Sequence, residues 1–184
     1  KIESRYIKKK NKYFKIIYVG EISKRKGLDT LFNSLKKITI KISVEIIGSG
    51  EKTYESYIKR MYKNLKHEVK FTKYSNNPKK TIYQSDLLIL PSVSYESFGL
   101  VLIEAMSCKT AILASKSGGI SNVLKNGYDS LLFKPNNPND LYSCLIKIIS
   151  NKNLRKRIAY NGYRKFLHNF QTSHMVSKYK ALGL

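Results

Sequence analysis

Short β-branched apolar runs alternate with stretches of helical apolar spacing from residue 15 to residue 167. Lys15-Ile-Ile-Tyr-Val-Gly20 has the character of a buried strand, and Leu28, Leu31, Phe32 and Leu35 repeat at helical spacing across 27–37. The same reading gives strands at 43–47, 68–71, 86–90, 110–114 and 130–133. Helices fall at 52–65, 78–85 and 99–107, after Gly118-Gly119, and at 139–150 and 154–167. Strands joined by helical crossovers pair in parallel, and a parallel sheet needs helices over both faces. The pattern therefore predicts an α/β fold: a Rossmann-like parallel sheet of about six strands with helices on both faces. No fixed-period repeat or low-complexity linker interrupts it, so residues 1–184 are expected to form one domain.

Charge narrows the partners. The chain carries a formal +23, a balance that favours polyanions such as nucleic acid, anionic headgroups or phosphorylated substrates. Only six of the 35 basic residues are Arg, at 5, 25, 60, 155, 157 and 164. Nucleic-acid readers rely on Arg for bidentate contacts, and lysines here are spread along the whole chain, so no nucleic-acid partner is expected. Abundant Lys, Asn, Ile and Tyr also fit an AT-rich coding bias. Cys108 and Cys144 sit in apolar patterns without metal spacing, as small buried residues in a reducing, cytoplasmic setting. No apolar run approaches the ~18 residues of a membrane span. The chain opens Lys-Ile-Glu-Ser-Arg, without an initiator Met or signal peptide, and has the look of an excised segment.

In a doubly wound sheet, ligands sit beyond the carboxyl ends of the strands, here the loops at 20–27, 48–52, 72–77, 91–99 and 115–119. The densest is Pro91-Ser-Val-Ser-Tyr-Glu96-Ser-Phe-Gly99, entering the helix that carries Glu104. The first amides of that helix, around Gly99, Leu100 and Val101, lack intrahelical partners and suit a diphosphate. A carboxylate at Glu104, on an otherwise apolar helix, asks for hydrogen-bond donors such as a ribose diol. Taken singly, Glu96 is equally a solvated loop acid and Glu104 a first-turn acid complementing the helix dipole. Gly48-Ser49-Gly50 alone is as much a turn as a phosphate loop. His67, His168 and His174 are expected at surface or packing positions.

Glu96 to Glu104 resembles the E-x7-E motif of the retaining GT-B glycosyltransferases, family 4 in particular. Flanking stretches match as well: Ser85-Asp86-Leu-Leu-Ile-Leu-Pro91-Ser92 before it and Glu104-Ala-Met-Ser-Cys108 after it. Gly118-Gly119-Ile120, Asn126-Gly127-Tyr-Asp-Ser-Leu-Leu-Phe133 and Val19-Gly-Glu-Ile-Ser-Lys-Arg-Lys-Gly27 complete the order, over about 13–180. The resemblance implies the carboxy-terminal, donor-binding half of a GT-B enzyme that transfers a sugar from a nucleoside diphosphate, UDP- or GDP-linked, with no metal or other cofactor. It implies Lys26 and Glu96 as the catalytic pair, and Lys26, Arg25 and the amides of Gly99, Leu100 and Val101 on the diphosphate. Glu96, Ser97 and Phe98 would meet the transferred sugar, Glu104 the ribose, and Lys73 and Tyr74 the base.

The acceptor would belong to an amino-terminal domain of the same protein. The tail at 169–184 is expected to cross to it, and contact with the inner face of an anionic membrane is a further expectation. This chain departs from the family pattern at Glu21, where many relatives place Arg, and at Thr72-Lys73-Tyr74, where a glycine is usual. It also lacks an acid near Ser121-Asn122, and Lys109 stands where a turn glycine is common. Two other readings fit the sequence less well. A nucleotide-sugar epimerase of the same fold carries a less complete E-x7-E junction, and a basic nucleic-acid or membrane module would cluster cations and aromatics on one face without paired acids.

Overall fold

The computed structural model describes residues 11–170. Six strands, β1 (Phe14–Val19), β2 (Ile42–Ile47), β3 (Glu68–Thr72), β4 (Leu87–Leu90), β5 (Ala111–Ser115) and β6 (Leu131–Phe133), form one sheet. Its order is β3-β2-β1-β4-β5-β6, and every neighbouring pair is parallel. The helices are α1 (Leu28–Leu35), α2 (Lys52–Lys63), α3 (Pro78–Tyr83), α4 (Leu100–Ser107), α5 (Ile120–Val123), α6 (Pro138–Ser150) and α7 (Lys152–Asn169). The expected six-stranded α/β architecture is present.

Strand residues alternate between two apolar layers, which is why the strands read as continuous apolar runs. Ile16, Tyr18, Leu87, Ile89 and Leu113 enter one layer with Leu31 of α1, Ile58 of α2 and Leu145 of α6. Ile17, Leu88, Leu90, Ile112 and Ala114 enter the other with Ile82 of α3, Leu102 and Met106 of α4 and Ile120 of α5. α7 serves both: Leu154 and Ile158 lie in the first layer, while Phe166 and then Phe170 pack against the second. Each fully buried aliphatic side chain contributes about 1.5–3 kcal/mol.

Asparagine caps set helix starts that apolar periodicity alone places one or two residues late. Asn137 accepts hydrogen bonds from the amides of Asn139 and Asp140, with Pro138 in the first turn, so α6 begins before Asn139. Asn151 accepts from the Leu154 amide and starts α7 at Lys152 rather than Leu154. The 20–27 loop holds a 3-10 turn at Lys24–Lys26. Of the tail expected at 169–184, Asn169 ends α7 and Phe170 packs on the second layer, and the rest lies outside the described residues.

β1 lies between β2 and β4, and the chain reverses its direction of travel across the sheet there. The loops leaving the carboxyl ends of β1 and β4 flank this switch point, where doubly wound sheets open a crevice.

Candidate functional site

The two switch-point loops are fastened to each other. The Arg25 carbonyl accepts from the Val93 amide at 2.9 Å and from the Ser94 amide at 3.3 Å. This splice sets Lys26 opposite Glu96: the ammonium nitrogen lies 2.5 Å from Glu96 Oε2, both side chains mostly buried at 12% and 14% exposed. The Ser92 hydroxyl donates to the same carboxylate oxygen at 3.1 Å. Below them Tyr18 is fully buried, and its hydroxyl donates to the Glu21 carbonyl at 2.5 Å. Burial, then the nearby Glu96 carboxylate, pushes the Tyr18 phenol well above its ordinary value.

Glycines let the loops meet. A side chain at Gly119 would collide with the Ser97 carbonyl, and the Gly119 amide donates to the Glu96 carbonyl at 2.7 Å. The pair Gly118-Gly119 therefore carries the 94–97 loop besides leading into α5. Gly48 and Gly50 pass against the carbonyls of Gly20 and Ile22, so Gly48-Ser49-Gly50 is a point of close backbone approach between the β1 and β2 loops.

Gly99 stands at the amino end of α4 with φ 67° and ψ 66°, and no acid occupies the first turn. The amides of Leu100 and Val101, at the start of the helix, have no hydrogen-bond partner among the described residues, and the Leu100 side chain is exposed. Glu104 follows one turn into α4 and is half-buried. Its carboxylate has no hydrogen-bond or ion-pair partner among the described residues. Lys73 and Tyr74 are exposed at the carboxyl end of β3, two strands from β1.

Two predicted contacts are otherwise engaged. Arg25 forms an exposed ion pair with Glu21, Nη2 to Oε2 at 2.8 Å, with Ser23 donating to the same carboxylate oxygen. That guanidinium holds the Glu21 carboxyl below the usual carboxylate range. Phe98 packs edge-on against Phe170, ring centres 6.1 Å apart, while Ser97 is exposed beside it. The structure thus joins Lys26, Glu96 and the start of α4, sets Glu104 a turn further in, and leaves Arg25 turned to Glu21.

Sequence reasoning missed Ser92, Ser115 and Ser117 as parts of this site. Their only signal was the alternation Ser92/Ser94 just past the end of β4 and Ser115/Ser117 at and just past the end of β5. Of the histidines, His67 is buried with Nε2 2.9 Å from the Leu35 carbonyl, His168 is exposed, and His174 lies outside the described residues. Cys108 is buried and Cys144 half-buried, and neither forms a disulfide among the described residues. Among the described residues no group of three or more His, Cys, Asp or Glu gathers to hold a metal ion.

A 3-2-1-4-5-6 sheet with a cation, a carboxylate and a helix amino end at its switch point defines a Rossmann-like α/β unit of the GT-B kind. The chain belongs to the family of glycosyl transferases group 1, whose model matches residues 1–165. An uncharacterised glycosyltransferase of Methanocaldococcus jannaschii is 33% identical over 149 residues, 79% of this chain and 41% of its own length. The capsular polysaccharide biosynthesis glycosyltransferase CapM of Staphylococcus aureus is 28% identical over 177 residues, 94% of this chain and 46% of its own length. The chain spans less than half the length of such curated relatives. In fold it resembles Anabaena HepE in complex with UDP-glucose, with TM-score 0.88, 22% identity, and coverage of 94% of this chain and 49% of that one. It also resembles the carboxy-terminal domain of a group 1 glycosyl transferase from Francisella tularensis, with TM-score 0.72, 23% identity and coverage of 93% and 91%.

Proposed function

We propose that this chain is the donor-binding half of a retaining glycosyltransferase, holding a nucleoside-diphosphate sugar whose acceptor is bound by an amino-terminal domain of the same protein. The observation that carries the reading is the Lys26–Glu96 pair at the switch point, beside the free amides that open α4. A UDP-glucose complex of HepE, similar in fold, supports a nucleotide-sugar donor.

In this reading Lys26 leaves Glu96 for the diphosphate, with the amides of Gly99, Leu100 and Val101. Negative charge builds on the diphosphate as it departs, and fixed donors aimed there lower the barrier. Glu96, with Ser97 and Phe98 beside it, takes the sugar hydroxyls and orients the anomeric carbon. Glu104, whose carboxylate is otherwise unpartnered, takes the ribose diol. Lys73 and Tyr74 meet the base, and Arg25 joins the diphosphate only by giving up Glu21. No protein nucleophile and no metal is needed.

Titration calorimetry of the chain with UDP, GDP and ADP tests this. One nucleotide is expected to bind selectively, and Lys26→Ala and Glu104→Ala each to weaken it roughly five- to hundredfold. Equal binding of all three, indifferent to both substitutions and abolished by salt, would sink the donor reading. The isolated chain is expected to bind donor without transferring sugar.

Peripheral contact with an anionic membrane accompanies the reading. No acid occurs after Asp140, and α7 exposes Lys152, Lys156, Tyr160, Arg164 and His168 at every fourth position, a single helical stripe. No helix of the described residues is long and apolar enough to cross a membrane.

A further inference from the structure

Glu96 must change partners if the donor reading holds. Its Oε2 now receives the Lys26 ammonium and the Ser92 hydroxyl together. A diphosphate carries more negative charge than a carboxylate and competes for Lys26. Once Lys26 turns to it, the Ser92 hydroxyl is the side-chain donor left on Glu96 among the described residues.

Ser92 is well placed to keep that role. It is 1% exposed, so bulk solvent does not compete for its hydroxyl. Its own carbonyl accepts from the Ser115 hydroxyl at 2.5 Å, and Ser115 is fully buried. One step further along the same two chain segments, the Ser117 hydroxyl donates to the Ser94 carbonyl at 2.6 Å.

These bonds continue the sheet where its backbone ladder stops. β4 and β5 pair in register as far as Leu90 and Ala114, and Pro91 has no N–H to extend the ladder. Serine hydroxyls on the β5 side take over, binding every second carbonyl on the β4 side. The loop that bears Glu96 is thereby held as an extension of the sheet, with the Gly119 amide on the Glu96 carbonyl closing the far end.

We infer that Ser92, braced by Ser115, is a positioning residue that keeps the Glu96 carboxylate aimed at the donor sugar once Lys26 has passed to the diphosphate. The inference rests on the donor reading proposed above. It makes Ser92 matter for the sugar and not for the nucleotide, a split that a merely structural serine does not produce.

The experiment is a calorimetric comparison of the wild-type chain with Ser92→Ala and Ser115→Ala, using UDP, GDP and ADP and the glucose conjugate of each. Unfolding midpoints of the variants confirm that each is folded. For the nucleotide that binds, Ser92→Ala is expected to leave affinity for the free diphosphate within about twofold. Affinity for the conjugate is expected to fall roughly tenfold, the scale of one hydrogen bond to a charged group. Ser115→Ala is expected to move in the same direction by less, since it acts one bond further away. Equal loss for nucleotide and conjugate, or no loss for either, overturns the inference and leaves the donor reading standing. A wild-type chain that binds none of the six compounds overturns the donor reading itself.

Discussion

Lys26 Nζ lies 2.5 Å from Glu96 Oε2, joining two residues seventy positions apart in sequence across the switch point of the sheet. Because both side chains are mostly shielded from water, either one alone leaves a costly unpaired charge. Lys26→Met and Glu96→Gln are each expected to destabilise the chain by about 1–3 kcal/mol, and the double variant by clearly less than the sum. A double-mutant cycle by urea unfolding measures this; strict additivity would show that the pair is not coupled.

Loop contact, more than backbone angle, governs Gly119. A methyl group there meets the Ser97 carbonyl, whereas one at Gly127, with φ +75°, meets open space. Gly119→Ala is expected to cost about 2–4 kcal/mol by displacing the 94–97 loop, and to weaken nucleotide binding as well. Gly127→Ala carries only the left-handed backbone penalty, about 1–2 kcal/mol, and binding is unchanged. Reversal of that order in paired unfolding and titration measurements would refute the assignment of Gly118-Gly119 to loop support.

Alkaline pH acts through Tyr18. The folded state raises its phenol above the ordinary value of 10.0, chiefly through burial. Its contribution is therefore fully present below pH 10.0 and is lost as the unfolded chain ionises above it. The wild type is expected to lose stability more steeply than Tyr18→Phe between pH 9 and 11, followed as urea midpoints. At neutral pH the wild type is the more stable of the two, because Tyr18→Phe gives up the hydrogen bond to the Glu21 carbonyl, worth about 1 kcal/mol. Parallel curves across that window would show that Tyr18 titrates alike in both states.

Vesicle binding tests the stripe on α7. Sedimentation with anionic phospholipid vesicles is expected to retain the wild type at low salt and release it as salt rises. Each cation near such a surface contributes about 1 kcal/mol, so Lys156→Glu with Arg164→Glu should weaken retention at least tenfold. Unchanged retention by the double variant would move any membrane contact elsewhere on the molecule.

Much of this molecule was legible in the sequence because its signals are local. Apolar periodicity revealed the six strands, and the Glu96-to-Glu104 spacing located a loop and helix that the sheet does place at its switch point. Local patterns did not reveal who meets whom between loops. Arg25 and Glu21 are only four residues apart, yet their pairing depends on a 3-10 turn that apolar spacing does not register. The serine braces and the support from Gly119 depend on β4 lying beside β5, a neighbourhood fixed by the whole sheet order. Phe98 looked like a ligand contact because its partner, Phe170, comes from the end of the last described helix.

That helix has a consequence for how the chain comes into being on the ribosome. Leu154 and Ile158 complete one apolar layer, and Phe166 and Phe170 pack against the other. β1, a central strand and the first of this sheet in chain order, lacks its β4 neighbour until residue 90 has emerged, and neither layer is complete until α7 follows. The two apolar faces are therefore covered stepwise, one by α1, α2 and α6 and the other by α3, α4 and α5, and both are completed together within the span of the last described helix.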